Sequence, residues 1–230
     1  YLETRFTGGR LSVKVSETGT SYYNVFVDGK LHKVVKVCGT DTLIHLVSGI
    51  DKRIHSLKIQ KRSEGEFGKT TIHQFVLSGS GRLAEEPAVR TRHIEFIGNS
   101  LTCGYGTDGK HRDEPFLVET ENCNLTFASM VARYYDADYT LIAHSGRGAA
   151  RNYGDSVRVS KVTMKDRMLN TFDEDLTHKW NFKGYLPDLV VINLGSNDFS
   201  TEPHPYKSEF TKAYKQILAQ LREHYGDIPI

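Results

Sequence analysis

The rhythm of this sequence changes once, at Ala84-Glu85-Glu86-Pro87, and no other feature limits its fold as sharply. Before that point, short apolar-alternating runs are separated by turn residues. Tyr23-Asn24-Val25-Phe26-Val27 leads into Asp28-Gly29, a dipeptide suited to a two-residue hairpin, and Lys30-Leu31-His32-Lys33-Val34-Val35 returns on the far side. Leu11 to Val15, Thr42 to Leu46, His55 to Lys61 and Thr71 to Leu77 are further strand candidates, with glycines punctuating the intervals. No stretch longer than about ten residues carries a 3.6-residue period. Many short strands predict an all-β sandwich over residues 1–90.

From His93 onward, apolar runs alternate with helical patterns. Ile94 to Ile97, Tyr139 to Ala143 and Leu189 to Leu194 read as strands. A helix is predicted within Thr120 to Tyr135, burying Phe127, Met130, Val131 and Tyr134. Another is predicted over Tyr206 to Tyr225, with Phe210, Tyr214, Ile217, Leu218, Leu221 and Tyr225 on one face and Gly226 as its stop. Strand–helix alternation predicts a parallel sheet wrapped by helices over residues 91–230. Asp227-Ile228-Pro229-Ile230 reads as the start of a further strand. Three strands alone make a small sheet, so the expectation is an α/β domain truncated at its C-terminus.

In α/β architectures, ligands bind beyond the carboxyl ends of parallel strands. The three strand candidates deliver Gly98-Asn99-Ser100-Leu101-Thr102, His144-Ser145-Gly146-Arg147-Gly148 and Gly195-Ser196-Asn197-Asp198 to that edge. Each could be an ordinary strand-to-helix turn, but together they contain what acyl transfer needs. A serine hydroxyl on a tight turn can attack a carbonyl carbon. Glycine-flanked backbone amides and the Asn197 carboxamide can converge on the oxyanion that develops, and losing one such donor costs about 100- to 1000-fold in rate. The turn at Ser100 is not a G-x-S-x-G elbow, because Thr102 occupies the second glycine position.

These residues carry a family resemblance. Ile97-Gly98-Asn99-Ser100-Leu101-Thr102 resembles the first block of the SGNH (GDSL-like) hydrolases, and Gly195-Ser196-Asn197-Asp198 resembles their G-x-N-D block. The nearer likeness is to carbohydrate esterase family two, which joins a β-sandwich (jelly roll) to an SGNH domain. Gly98 to Gly106, Ser145-Gly146-Arg147-Gly148 with Arg151-Asn152-Tyr153-Gly154, and Pro187 to Ser200 are similar to its three blocks, in order. Arg5-Phe6-Thr7-Gly8 and His55 to Glu64 are similar to its N-terminal half. The resemblance implies that Ser100 is the nucleophile. It implies an oxyanion hole made by the Ser100 amide, a second-block glycine and the Asn197 side chain. Gly148 is preferred to Gly146 on the expectation that a helix begins there, since helix-start amides suit negative charge. The family's catalytic His lies well past the third block, and nothing after Asp198 fits it. The expectation is a base beyond residue 230.

Other residues receive plainer readings. His144 is expected to be a packed strand-end histidine, and Asp198 either orients a catalytic group or caps a turn. Trp180, Tyr105 and Phe199 are aromatic candidates for a sugar cleft or for rim packing. Cys38, Cys103 and Cys123 read as small apolar thiols, although Cys103 and Cys123 could be bridged.

Composition narrows the function classes. A net charge of +2 and no Lys/Arg run predict no nucleic-acid partner. No apolar stretch approaches the roughly 18 residues of a membrane span. No C-x-x-C or H-x-x-x-H spacing is present, so neither metal nor cofactor is expected. The chain opens at Tyr1 without a leader, which on the reading that a signal was removed predicts a secreted or periplasmic protein. The favoured expectation is a serine esterase removing O-acetyl groups from polysaccharide or oligosaccharide. The competing ones are a catalytically silent carbohydrate-binding protein and an SGNH lipase or thioesterase.

Overall fold

The computed structural model describes residues 1–230, and the chain divides into two compact units. The first comprises Tyr1–Val89 with Leu117–Glu119, and the second Arg90–Phe116 with Thr120–Ile230.

The first unit is all antiparallel. Its strands are β1 (Leu2–Glu17), β2 (Thr20–Val27), β3 (Lys30–Cys38), β4 (Thr42–Lys61), β5 (Thr70–Ser78) and β6 (Arg82–Leu83). They hydrogen-bond in the order β3-β2-β4-β1-β5, with β6 also paired to β1. Asp28 and Gly29 both adopt positive φ, as the hairpin joining β2 to β3 requires. The strands are longer than the sequence punctuation suggested. Leu11 to Val15 is the second half of β1, while Thr42 to Leu46 and His55 to Lys61 are the two ends of the 20-residue β4. Register breaks at Thr7/Gly9, Gly9/Arg10 and Leu11/Ser12 replace the expected turns, because a bulge adds a residue and bends a strand without ending it. Phe6, from the first half of β1, and Val13, from the second, therefore share one core with Val25, Leu46 and Leu57.

The second unit holds three parallel strands in the order β8-β7-β9: β7 (His93–Gly98), β8 (Asp138–Ala143) and β9 (Leu189–Ile192). Ile94 pairs with both Tyr139 and Leu189, so the three carboxyl ends lie level. A reciprocal bond fixes the opposite ends, where His93 N donates to Asp188 Oδ2 and Asp188 N to His93 O, each at 2.8 Å. Pro229 O accepts from Val190 N at 3.0 Å, so the last residues run beside β9.

Helices cover both faces: α1 (Ser100–Cys103), α2 (Phe127–Tyr134), α3 (Met164–Arg167) and α4 (Lys207–Tyr225). α4 follows its predicted span and buries Ala213, Ile217, Leu221 and Tyr225 before Gly226 ends it at φ +64°. α2 lies where a helix was predicted but turns the other way. It buries Ala128, Ser129 and Ala132 against Ile94, Phe96 and Tyr139. Phe127, Met130, Val131 and Tyr134 are exposed, Tyr134 by 84%. Small side chains let this helix approach the sheet closely, which its large residues would prevent. No helix of the chain is long and apolar enough to cross a membrane.

Candidate active site

All three polar blocks sit at the carboxyl edge of the parallel sheet. β7 ends at Gly98, and Ser100 is the first residue of α1, half-buried and directly after the N-cap Asn99. A β-carbon at position 98 would overlap Thr102 Oγ1, so this chain reversal requires glycine. Asn99 is fully buried and performs two tasks. Its Oδ1 accepts from Leu101 N at 3.2 Å, capping the short helix, and its Nδ2 donates to Ser196 Oγ at 2.9 Å. The second bond ties the residue before Ser100 to the residue before Asn197 across 97 positions of sequence.

Asn197 carries two amide hydrogens, one of which reaches Arg147 O at 2.8 Å. The first, second and third blocks are thereby joined by two side-chain bonds, Asn99 to Ser196 and Asn197 to Arg147. Asp198, next in sequence, is fully buried. Its Oδ2 accepts from Ala149 N at 3.0 Å, and its Oδ1 accepts from Ala150 N at 2.7 Å and Arg151 N at 2.9 Å. Asp198 thus caps the second block rather than its own turn.

No helix begins at Gly148, so the expected reason for favouring its amide is absent. Residues 147–152 form a loop, and the Gly148 N–H points to Asn152 Oδ1 at a long 3.4 Å. Gly148 is nonetheless a glycine by necessity, because a β-carbon there would overlap Arg151 O and the Asp198 carboxylate. Arg151 is also fully buried. Its guanidinium donates to Thr201 Oγ1 at 2.9 Å, Glu202 O at 3.2 Å and Val157 O at 3.0 Å, and also to Asp155 O. Sequence reasoning gave no role to the Asn99–Ser196 bond or to Arg151. The one available signal for the latter was a cation placed inside a glycine-rich loop.

Five of the six histidines of this unit have side-chain partners, and the sixth, His111, is exposed. His144, at the end of β8, is buried, and its Nδ1 bonds the Asp173 carboxylate, so the packed reading holds. Burial would raise the pKa of Asp173, but the His144 bond, the His144 charge and then Arg167 hold it below the usual carboxylate range. His93 meets Thr140 and Tyr185, His204 pairs with Glu202, and exposed His224 stacks on Phe182. Tyr105 stacks on Phe116 at 3.8 Å, and Phe199 packs against Phe210; both keep about half their surface exposed. Trp180 instead meets Tyr185, whose hydroxyl bonds His93 at the amino end of β7, away from the three blocks. Cys103 and Cys123 are buried and not joined by a disulfide, and Cys38 is exposed.

Comparison with known proteins places this arrangement. Residues 1–87 match the family described as Carbohydrate esterase 2 N-terminal, and residues 96–230 match the GDSL-like Lipase/Acylhydrolase family. The chain is 35% identical over its full length to the cellulase/esterase CelE of Acetivibrio thermocellus, of which it spans 27%. It is 33% identical over 204 residues to an acetylxylan esterase / glucomannan deacetylase of Cellvibrio japonicus, covering 87% of this chain and 54% of that protein. A solved family two carbohydrate esterase from Clostridium thermocellum, in complex with cellohexaose, superposes with a TM-score of 0.91 at 35% identity, covering 98% of this chain and 68% of that one. With both halves matched in order and the fold shared throughout, the chain belongs to the family two carbohydrate esterases, its second unit being a GDSL-like lipase/acylhydrolase domain.

Proposed function

We propose that the protein of which this chain is part is a serine esterase that removes O-acetyl groups from polysaccharide or oligosaccharide, xylan and mannan being the expected polymers. The observation carrying this reading is the Asn99–Ser196 bond, which holds the segment of Ser100 beside that of Asn197 at the carboxyl edge of the sheet. In the proposed reaction, Ser100 Oγ forms a bond to the acetyl carbonyl carbon while its proton passes to a base. The oxyanion receives the Ser100 amide, the Asn197 amide hydrogen not given to Arg147, and the Gly148 amide, which exchanges its long contact to Asn152 for the stronger acceptor. Collapse of the tetrahedral intermediate breaks the bond to the sugar oxygen, which leaves with the proton. Water then releases acetate from Ser100. The base is proposed to be a histidine outside these 230 residues, since His144, which follows β8 at this edge, is buried and bonded to Asp173.

Exposed Tyr105 and Phe199, each two residues beyond helix α1 and Asn197 respectively, are proposed to offer ring faces to the sugar. Polymeric substrate cannot enter a cell, so action outside the cytoplasm is part of the proposal. Replacing Ser100 with Ala in the intact protein should lower hydrolysis of acetylated xylan by at least about 100-fold. Retention of most activity would end this reading, and preference for long-chain esters over acetyl sugars would shift it toward a lipase.

A further inference from the structure

Two consecutive residues of the third block hold opposite sides of one short loop. The Asn197 side chain takes the carbonyl of Arg147, and the Asp198 carboxylate takes the N–H groups of Ala149, Ala150 and Arg151. Gly148 lies between these attachments and tolerates no β-carbon against that carboxylate. A second tie runs in the same direction. The buried Arg151 guanidinium reaches Thr201 and the carbonyl of Glu202, three and four residues past Asp198, and Gly154 N donates to Thr201 Oγ1 at 3.2 Å. The loop that follows β8 is therefore fastened to the loop that follows β9 at both ends.

The chemistry of the fastening requires a carboxylate. Three N–H donors converge on two oxygens, and only a carboxylate presents acceptors on both. Asparagine at 198 would turn an NH2 toward at least one of the donors, and a donor facing a buried donor is unsatisfied on both sides.

We infer that Asp198 is a positioning residue for acyl transfer: its carboxylate clasps the 147–151 backbone so that the amides of that loop and the Asn197 carboxamide keep one spacing around the oxyanion. The inference rests on the esterase reading above. The proposed sugar-facing ring of Phe199 is held by Phe210 of α4 and not by the 147–151 loop, whereas the oxyanion forms only during reaction, so the clasp acts on kcat and leaves KM nearly alone. A misplacement on the order of 1 Å costs about 100-fold.

The test uses the intact protein with Asp198→Asn, and with Thr201→Val as a milder loosening of the same tie. For Asp198→Asn, kcat on an acetylated xylo-oligosaccharide should fall by about 10- to 100-fold with KM within about threefold. Amide hydrogen exchange should accelerate at Ala149 to Arg151 and not in α4. Thr201→Val should move both readouts the same way by less. Unchanged kcat together with unchanged exchange overturns the inference. So does a parallel fall in kcat, KM and global unfolding midpoint in both variants, which marks a residue needed only for folding. Ser100→Ala is measured alongside. If that variant keeps its activity the esterase reading fails by itself, and exchange at Ala149 to Arg151 still decides the clasp.

Discussion

Gly98 and Gly148 show how one missing β-carbon places chemistry. At 98 the space is taken by the Thr102 side chain, and at 148 by the Asp198 carboxylate and a carbonyl. Replacing Gly148 with Ala should destabilise the second unit by about 1–3 kcal/mol or more, read as a lowered urea midpoint, because no flexible neighbour can retreat. Thr102 makes the opposite prediction. Its hydroxyl is fully buried without a hydrogen-bond partner, so Thr102→Val keeps the shape and removes an uncompensated polar atom. Stability should hold or rise by up to about 1 kcal/mol, and a marked loss would mean that the hydroxyl has a partner. At this scale the sequence was informative about which residues reach the carboxyl edge of the sheet, where Ser100 follows β7 and Asn197 follows β9. It was silent about what holds them, because the partners of Asn99 and Asp198 lie 97 and 47 to 49 residues away.

Elements were legible in proportion to how local their causes are. The Asp28-Gly29 hairpin and the Gly226 stop depend on a few neighbouring residues and formed as expected. α2 depends on its neighbours in space, and the larger apolar residues do not choose its buried face. Strand β7 contains another choice that pattern reading does not find, because Glu95 sits inside an apolar run yet is fully buried. Burial raises its pKa, opposed by hydrogen bonds from Tyr225 at 2.9 Å and Tyr185 at 3.3 Å. A carboxyl whose folded pKa is raised stabilises fully below its unfolded value, about 4.3, and that contribution is lost as pH rises through the folded value. Glu95→Gln stays neutral while still accepting from both tyrosines. It should flatten the pH dependence of unit-two stability above pH 4 and raise stability at pH 7 by on the order of 1 kcal/mol, as checked by urea unfolding at pH 4 and pH 7. A less stable variant at pH 7 would show that the ionised form is the stabilising one.

Across the whole chain, the first unit has its own titrating centre. His55 is buried on β4, with Nδ1 bonded to Asp28 at 2.8 Å and Nε2 to Asp51 at 3.0 Å, so both ring nitrogens must donate. Burial pulls its pKa down, but the bonds to Asp28 and then Asp51 outweigh it and leave it raised. A raised histidine contributes fully below about pH 6.5 and loses that contribution as pH climbs through its folded value. Asp28 and Asp51 are lowered, chiefly by the His55 bond and by the Arg53 amide respectively, and lose theirs as pH falls through the acid range. The first unit should therefore be most stable between these limits and weaken on the alkaline side. His55→Gln should abolish the alkaline slope in thermal unfolding, and a slope that persists would assign it to another group. The sequence by itself determined the succession of an all-β and an α/β unit and the residue types at the carboxyl edge, because residue period and turn chemistry act over a few positions. Only the tertiary structure decided the bending of β1 and β4, the buried face of α2, the direction of the Gly148 amide and the partners of His55, Glu95 and Asp198. Each of these is set by groups distant in sequence, whose approach is governed by packing volume and by the cost of leaving a buried polar atom unpaired.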